Sequence, residues 1–589
     1  MTRILVSKSN AIIPFISSFY ILRSSSIRPY SSLKGKVGVR INVENEVKCL
    51  DDAVNLFNRM VRMKPLPPLP FFCQLLKTVI NMKHYYAVIS LFREMRKLDI
   101  PINEFIFSNV INNYCLMHRV DCAFSLLPIH LKSGIPFNVV TFTTLIRGLF
   151  AENKVTDAVV LFKKLVREKI CEPNKVMYGT VMNGLSKRGH TKKTLSLLRL
   201  MEQGSTKPDI YIYNIVIDAF CKDRNLDAAI SILNEMKRKG IPLDIVTYSS
   251  LIDGSCKLGQ WEKVKTLFSE MVNLNIYPNV LTFNILIDGL CKEGKVEDAE
   301  EVMRHMIEKG VEPNIITYNA IMDGYCLRGQ VDRARRVFDV LIDKGIEPNI
   351  FSYNILINGY CKKKEVANAM QLLGEISQRG SKPDVVTYNT IQQGLFDVGR
   401  IGDAKKIYAE MLSRGPVPNS STHHTLLKGY FRYGLVEEAM SLFNKLKINR
   451  EDTDIELYNV VINGLCKNGK LDEAQSVFEN LSLIGLPLDV RTYNTMITGF
   501  CLQGLLDEAK SMLRKMKKNS CLPDNVTYNV FVQGFLRWSK FSEMRTFMVE
   551  MADRGFSFDA STAGFLVNVV RENPSVLDMI PELHSKNKY

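Results

Sequence analysis

One ten-residue phrase returns along the chain at a fixed interval. It reads "TFNILIDGLC" from residue 282, "TYNAIMDGYC" from 317 and "SYNILINGYC" from 352. The interval is 35 residues each time, and its third place is always asparagine: Asn284, Asn319 and Asn354. A unit this short cannot bury a core alone, so such a period predicts stacked copies of one supersecondary motif.

Each copy is predicted to hold two helices. In residues 280–314 the first apolar stripe has helical spacing and consists of Phe283, Leu286, Ile287, Leu290 and Cys291. Gly294 interrupts it, and a second stripe follows with Val296, Ala299, Met303 and Met306. Gly310 and Pro313 then end the second helix. The pattern predicts an all-α fold, an α-solenoid of helix-turn-helix units.

The repeat divides most of the chain when each unit is closed by Pro and then Asp or Asn. A basic leader (1–43) and a half-repeat cap (44–68) come first, and a C-terminal cap or tail (560–589) comes last. About fourteen units lie between them: 69–103, 104–138, 139–174, 175–209, 210–244, 245–279, 280–314, 315–349, 350–384, 385–419, 420–454, 455–489, 490–524 and 525–559. All have 35 residues except 139–174, which has 36.

The leader carries much of the positive charge. The formal net charge is +16, and the leader supplies seven basic residues with no acid before Glu44. A basic, Ser-rich, acid-free N-terminus is typical of an organellar transit peptide. Its Arg residues are spaced among Ile, Phe and Tyr, which favours a mitochondrial over a plastid destination. A disordered basic tail is the alternative.

Several function classes find no support. No apolar run reaches the 18 residues of a membrane helix, so we expect no membrane insertion. The eight His show no metal-ligand spacing, no CxxC pair occurs, and we expect neither metal nor cofactor. Phosphate-loop, HExxH and nucleophile-elbow motifs are absent, so we expect no enzyme. Eight cysteines share one place in the unit, which predicts buried structural thiols: Cys115, Cys221, Cys256, Cys291, Cys326, Cys361, Cys466 and Cys501.

Two classes of α-solenoid have a similar period. Tetratricopeptide repeats have 34 residues and bind peptides. Here the period is 35, Trp occurs only at 261 and 538, and the recurring phrase is "VTYNxxIxGxCKxGxxxxAxxxFxxMxxxGxxPD". From residue 50 to about 570 the chain resembles pentatricopeptide repeat proteins of the P class. Its N-terminal "LDDAVNLFNRMVRMKPLPPLPFF" also resembles the restorer-of-fertility-like subgroup of plant mitochondria. The resemblance implies a right-handed superhelix that binds single-stranded RNA.

The same resemblance implies that the fifth and last residues of each unit read one base. Adenine is implied by Ser108 with Asn138, Thr143 with Asn174 and Ser249 with Asn279, and guanine, imperfectly, by Gly179 with Asp209. Uracil is implied by Asn214 with Asp244, Asn354 with Asp384, Asn459 with Asp489, Asn494 with Asp524 and Asn529 with Asp559. Cytosine before uracil is implied by Asn284 with Asn314, Asn319 with Asn349 and Asn389 with Asn419.

Two units receive no base. Cys73 with Asn103 is unassignable, and His424 with Asp454, in a unit that ends in "INREDTD", is expected to discriminate little. The expected target is x-A-A-(G)-U-A-C-C-U-C-x-U-U-U, where x marks an unassigned base. We expect the fifth residue to lie outside the apolar stripe, so that replacing it spares folding. A polar residue that only satisfies helix-start backbone groups is the alternative.

Two further sets follow from the resemblance. An apolar second residue would sandwich the base: Val140, Val176, Val246, Leu281, Ile316, Val386 and Val526. Ser421, Glu456 and Arg491 do not suit this role, so we expect weaker recognition over 420–524. Lysines eight places after the reading residue would meet phosphates: Lys187, Lys222, Lys257, Lys292, Lys362 and Lys467. Solvated lysines that complement the helix dipole are the alternative. The recurring aromatic fourth residue is interpreted as core, not as a base-stacking platform.

The expected function is therefore occupancy of a mitochondrial transcript that influences its processing, stability or translation, as in fertility restorers. The chain would shield the RNA, block a ribosome or recruit a separate nuclease or other organellar protein. A peptide-binding scaffold of tetratricopeptide type is the rival hypothesis. It gives no reason for Asn, Thr and Ser to alternate opposite Asp or Asn. A nuclease with an unrecognised active site is a weaker third.

Overall fold

The computed structural model describes residues 42–132, 134, 138–449, 454–486 and 488–580. The transit-peptide prediction therefore falls almost wholly outside the described residues, as do positions 450–453 of the unusual "INREDTD" segment. In the described part every regular element is a helix. The chain forms two compact units, one up to Gly289 and one from Leu290, and each is described by itself. The all-α prediction is confirmed.

Each predicted repeat contains one helical hairpin. The first helices are Leu69–Asn81, Glu104–Leu116, Val139–Ala151, Lys175–Ser186, Ile210–Lys222, Ile245–Lys257, Val280–Lys292, Ile315–Leu327, Ile350–Lys362, Val385–Asp397, Ser420–Arg432, Ile455–Lys467, Val490–Leu502 and Asn525–Arg537. The second helices are Tyr85–Lys97, Val155–Arg167, Thr191–Gln203, Leu226–Arg238, Trp261–Asn273, Val296–Glu308, Val331–Asp343, Val366–Gln378, Ile401–Arg414, Val436–Asn449, Leu471–Leu483, Leu506–Lys518 and Phe541–Asp553.

The second helix of 104–138 is split into Val120–Ser125 and Leu127–Lys132. Pro128 lies just after the break, where its ring and missing N–H disfavour a continuous helix. Val43–Glu46 and Leu50–Arg62 precede the repeats, and Ala560–Glu572 and a 3₁₀ turn, Pro574–Met579, follow them. No described helix is long and apolar enough to cross a bilayer.

The turns within a hairpin use left-handed backbone where the glycines fall. Gly294 has φ of 78° between the helices of its unit, and Gly310 has φ of 76° after the second helix. The backbone N–H of Gly294 donates to the carbonyl of Cys291 at 3.0 Å, and that of Lys295 donates to the carbonyl of Leu290 at 2.9 Å. This paired arrangement satisfies carbonyls at the helix end and explains why glycine recurs there.

Within each compact unit, a first helix packs on its own second helix and on the first helix of the next repeat. The aromatic fourth residue lies inside this packing. Tyr353 is buried and meets Phe338 of the preceding second helix edge-on, with ring centroids 5.1 Å apart. The related rings Tyr213, Tyr248, Phe283, Tyr318 and Tyr388 are also buried. These aromatics are core, as the sequence predicted.

Candidate nucleic-acid interface

The last residue of each repeat caps the first helix of the next. Asp384 has extended backbone, and its Oδ1 accepts the N–H of Thr387 at 2.9 Å. Asn419 does the same for Thr422 at 3.0 Å. An Asp or Asn at this position satisfies one of the N–H groups that a helix start leaves without a partner. The last residue therefore has a helix-capping role.

Three of the predicted reading pairs are joined by a hydrogen bond at this cap. Nδ2 of Asn354 donates to Oδ1 of Asp384 at 3.2 Å. The same bond measures 3.1 Å between Asn214 and Asp244 and 3.0 Å between Asn494 and Asp524. The two residues of a pair are 30 positions apart, and the hairpin between them brings the cap back beside the first helix.

A hydroxyl from the next repeat joins each of these three pairs. Oγ1 of Thr387 lies 2.7 Å from Oδ1 of Asn354 and 2.9 Å from Oδ1 of Asp384. Thr247 contacts Asn214 at 2.7 Å, and Thr527 contacts Asn494 at 2.7 Å. The sequence analysis did not include this third residue of the unit, although "VTYN" displays it beside the asparagine.

The carboxylates of two of these pairs, Asp384 and Asp524, remain charged. Burial raises the pKa of Asp384, but hydrogen bonds from Thr387 and Asn354 outweigh it and hold that pKa below its ordinary value. The same balance lowers the pKa of Asp524. The bonds just described all use Oδ1 of Asp384, which leaves Oδ2 as an acceptor outside them.

Asparagine caps behave differently. The hydroxyl of Thr422 donates to Oδ1 of its own cap, Asn419, at 3.1 Å, and Ser352 donates to Asn349 at 3.1 Å. Nδ2 of Asn389 lies 3.4 Å from Oδ1 of Asn419. Oδ1 of Asn389 and Oδ1 of Asn319 have no partner within the described protein. The oxygen side of these two reading residues is therefore not held.

Six of the eight fifth-residue asparagines are buried, although they lie outside the apolar stripe of their helix. Asn214 is 8% exposed, Asn319 5% and Asn494 7%, while Asn354 is half-buried. The close approach of successive first helices covers their side chains. Because the carboxamide of Asn354 bonds to Asp384 and Thr387, we expect its replacement to lower stability, unlike the expectation from the sequence alone.

Several predicted pairs depart from this geometry. Asn529 is spent on backbone groups, since it donates to Asn525 O and Ser557 O and accepts from the N–H of Asp559 at 3.0 Å. His424 lies 3.6 Å from Asp454. The carboxamide of Asn459 has no partner within the described residues. These units share the residue types of the pattern without its bonds.

The adenine and guanine units differ again. Ser249 contacts Thr282 at 2.9 Å, whereas Thr143 donates to the carbonyl of Val139 in its own helix at 2.6 Å. Beside Gly179 the ring of Tyr211 occupies the space, since a Cβ atom there would lie 2.9 Å from that ring. In the first unit, Sγ of Cys73 lies 3.8 Å from Oδ1 of Asn103.

The apolar second residues lie on the surface, as their predicted role requires. More than half of the side chain is exposed at Val140, Val176, Val246, Leu281, Ile316, Val386 and Val526. The same place in three other units carries an exposed aromatic ring that the sequence analysis overlooked: Phe105, Tyr211 and Phe351. Outside the run 420–524, every repeat from 104–138 to 525–559 therefore has an exposed apolar side chain at its second place.

Five of the six predicted phosphate lysines divide into two groups. Lys222 and Lys257 form ion pairs at 2.5 Å with Asp218 and Asp253, four residues earlier on the same helix. Lys187, Lys362 and Lys467 are exposed and follow Asn183, Asn358 and Asn463 instead. Within the described residues these three form no ion pair. They carry charge that is not compensated locally.

A comparison with family models decides the identity. The PPR repeat family model matches residues 173–218, 208–257, 244–292, 278–326, 313–362, 348–397, 383–432, 453–502 and 488–537, which is more than half of the chain. The chain belongs to the PPR repeat family. Further PPR repeat matches fall at 133–166, 421–450 and 526–556.

Among curated proteins, a putative mitochondrial pentatricopeptide repeat-containing protein of Arabidopsis thaliana is 37% identical over 149 residues, 25% of this chain and 24% of the relative. Another Arabidopsis mitochondrial member is 43% identical over 63 residues, 11% of this chain and 10% of that protein. The chain thus spans about a quarter or less of the length of these relatives. The crystal structure of maize PPR10 matches with TM-score 0.40 and 22% identity over 92% of this chain and 97% of that one.

Two predicted reading pairs in the run 420–524 line one cavity. A cavity of about 750 Å³ is lined by Asn459, Asp489, Asn494 and Asp524, among others. The polar second residues of this run meet each other, with Arg491 and Glu456 3.9 Å apart. Within the described residues no group of three His, Cys, Asp or Glu is placed to hold a metal ion.

Proposed function

We propose that the chain binds single-stranded RNA in a sequence-specific manner and reads one base per repeat. The observation that carries this proposal is the Asn354–Asp384 pair, joined at 3.2 Å and bordered by the exposed side chains of Phe351 and Val386. Polar atoms fixed between apolar faces suit a planar base, which stacks on its faces and forms hydrogen bonds along its edge.

The last residue of a repeat would choose between two classes of base. With Oδ1 engaged in the helix cap, Asp384 retains Oδ2, an acceptor, whereas Asn419 retains Nδ2, a donor. Uracil and guanine carry a ring N–H on the Watson–Crick edge, and cytosine and adenine carry a bare ring nitrogen. An Asp cap therefore suits uracil or guanine, and an Asn cap suits cytosine or adenine.

The size of the fifth residue, and its amide group where it is Asn, would discriminate between pyrimidines and purines. Asn354 fills more of the space beside the base than Ser249, Thr143 or Gly179, so it favours a one-ring pyrimidine. The shorter side chains of Ser249 and Thr143 leave room for a purine, whereas at Gly179 the ring of Tyr211 occupies the space. The base assignments inferred from family resemblance agree with this steric and hydrogen-bonding argument, which makes U the expected ninth base, opposite unit 350–384.

A peptide-binding scaffold remains the rival. Peptides bind in grooves through backbone hydrogen bonds and side-chain pockets. Such a groove would not require a cap that alternates between Asp and Asn opposite each fifth residue. We propose that the chain acts by occupying its transcript, without catalysis of its own.

The decisive test uses four RNAs that differ only at the ninth base, with wild type and Asn354→Thr. Wild type should prefer uracil, and the variant should shift toward guanine. The discrimination should be about 1 to 3 kcal/mol, as for a good base-edge contact in duplex recognition. The variant also loses a hydrogen bond to Asp384, so a stability loss of about 1 kcal/mol should accompany the shift. Equal affinity for all four RNAs in both proteins would refute base reading.

We further propose a mitochondrial location. The basic, acid-free leader and the mitochondrial names of the Arabidopsis relatives support it. Residues 1–60 fused to a fluorescent reporter should enter mitochondria. A reporter that stays in the cytosol or enters plastids would contradict this location. The transcript, and any role in restoring fertility, would follow from RNA crosslinked to the protein in isolated organelles.

A further inference from the structure

The structure points to a residue outside the reading pair that sets its orientation. We propose that, where its hydroxyl contacts the fifth-residue carboxamide of the repeat before it, the third residue of a repeat fixes which end of that carboxamide meets the base, so that Thr387 governs reading by Asn354. This inference rests on the proposed RNA-binding function. It assigns to Thr387 a positioning role, since its side chain is fully buried and cannot itself reach the base.

A carboxamide can turn by half a rotation and exchange its oxygen for its NH₂ group. At Asn354 two contacts oppose this turn. Oδ1 of Asp384 can only accept, so it holds Nδ2 of Asn354 at 3.2 Å. On the other side the hydroxyl of Thr387 lies 2.7 Å from Oδ1 of Asn354 and can donate to it.

The single proton of this hydroxyl has two acceptors within reach, because Oδ1 of Asp384 is 2.9 Å away. That oxygen already receives the backbone N–H of Thr387 at 2.9 Å and the amide of Asn354. The proton is therefore better used at Oδ1 of Asn354, which receives no other bond described here. Asp384 on Nδ2 and Thr387 on Oδ1 thus hold the carboxamide of Asn354 from both sides, and we call these two contacts the clamp.

The clamp has a consequence for specificity. Asn354 Nδ2 carries two hydrogens, and Asp384 takes one of them. The second is presented in a fixed direction as a donor. Uracil offers carbonyl oxygens on its edge, whereas cytosine offers an amino group where uracil has O4. A fixed donor thus favours uracil, while a carboxamide free to turn could accept from cytosine.

The repeats that contain Asn389 and Asn459 lack the clamp. Thr422 donates to its cap Asn419 and leaves Oδ1 of Asn389 without a partner in the described protein. Asn459 sits beside an Asp cap, yet the hydroxyl of Thr492 donates to that cap, Asp489, at 2.7 Å. By this reasoning, Asn389 and Asn459 should separate uracil from cytosine less well than Asn354. This holds for Asn459 even though its partner, Asp489, is an aspartate like the partner of Asn354.

Thr387→Val tests the clamp, because valine keeps the shape and removes the hydroxyl. The full chain would be titrated with RNAs that carry uracil or cytosine at the ninth base. The affinity ratio of uracil to cytosine should fall roughly tenfold, the equivalent of one net hydrogen bond. Thr387→Ser should restore it. A ratio measured on one protein sample does not depend on the folded fraction, so a loss of stability cannot imitate the effect.

Thr422→Val is the matched control. Both threonines accept the N–H of the preceding cap residue, at 3.3 Å for Thr387 and 3.2 Å for Thr422, so both variants lose the same capping contact. Of the two, only Thr387 contacts the fifth-residue asparagine of the preceding repeat. Thr422→Val should leave the ratio at the tenth base unchanged.

An unchanged ratio in Thr387→Val would overturn the inference, as would an equal fall in Thr422→Val, which would point to capping. These outcomes differ from failure of the proposed function. If wild type itself shows no preference at any base, base reading fails and this inference fails with it.

Discussion

Gly394 packs directly against the sulfur of Cys361. A Cβ atom on Gly394 would lie 2.6 Å from Sγ of Cys361 and 2.8 Å from its Cβ, closer than such atoms approach in proteins. The pairs Gly359 with Cys326 and Gly499 with Cys466 repeat the relationship. The tenth residue of one repeat thus receives the twelfth residue of the repeat before it, and this contact sets how closely successive first helices lie. That spacing in turn places each cap beside its reading residue.

Gly394→Ala should therefore destabilise the stack by about 1 to 3 kcal/mol, the usual penalty for overpacking. Gly374→Ala is the matched control, since Gly374 is an exposed helical glycine with nothing within 4 Å of an added Cβ. It should stabilise by about 1 kcal/mol through helix propensity. Urea unfolding followed by circular dichroism measures both. A neutral Gly394→Ala would mean that the first helices separate easily.

The buried cysteines should be chemically inert. Burial raises the pKa of Cys361 to about 12, so almost no thiolate exists at pH 8. Iodoacetamide should alkylate exposed Cys49 much faster than Cys361 in the native protein, as peptide mass spectrometry would show. Similar rates in folded protein would contradict the close Gly394 contact.

The raised pKa also has a consequence for stability. The protonated thiol is the form that the fold favours, so this contribution is complete below the ordinary pKa near 9 and is lost as pH rises toward 12. Cys361→Ala should therefore show a smaller loss of stability between pH 9 and pH 11 than wild type in parallel urea titrations.

The sequence predicted what lies along one chain segment and missed what lies between segments. Helical spacing and the glycines placed Val280–Lys292 and Val296–Glu308, because both signals are local. The bond from Thr387 to Asn354 and the burial of Asn319 depend on how one repeat rotates against the next. A single polar position offers no periodic signal for that rotation.

Two of the overlooked features did leave a trace in the sequence. A glycine two places before six of the eight cysteines, as in "IDGLC", marks the glycine–cysteine contact in the sequence. The pairing of Lys257 with Asp253 follows from their spacing of four on one helix, which "DGSCK" displays. The base that each pair meets is not written in either the sequence or the helix geometry, so it stays a prediction.

The exposed second residues should contribute to RNA affinity but not to the choice of base. Phe351 is 61% exposed, and Phe351→Ala should weaken binding of single-stranded RNA by roughly 1 to 3 kcal/mol, the range for a base stacked on an aromatic ring. The loss should be similar for each of the four ninth bases, and thermal stability should change little. Leu412, 53% exposed on a second helix, provides the control, and Leu412→Ala should leave RNA binding unchanged. A larger effect from Leu412→Ala would mean that the RNA binds along the second helices instead of the first.

Phosphate contact should depend on the residue four places before each lysine. Asp253 holds Lys257 in an ion pair, whereas Lys362 follows Asn358 and has no such partner in the described part of the chain. Asp253→Asn should release Lys257, strengthen RNA binding and steepen the plot of log K against log salt by about 0.7, the value for one phosphate on a single strand. Asn358→Asp should capture Lys362 and flatten the slope by about the same amount. Fluorescence anisotropy with a labelled RNA across a salt series measures both slopes. Since each variant changes one charge at the same place in its repeat, opposite shifts would identify the lysines as phosphate contacts, while two unchanged slopes would make them solvated residues that only complement the helix dipole.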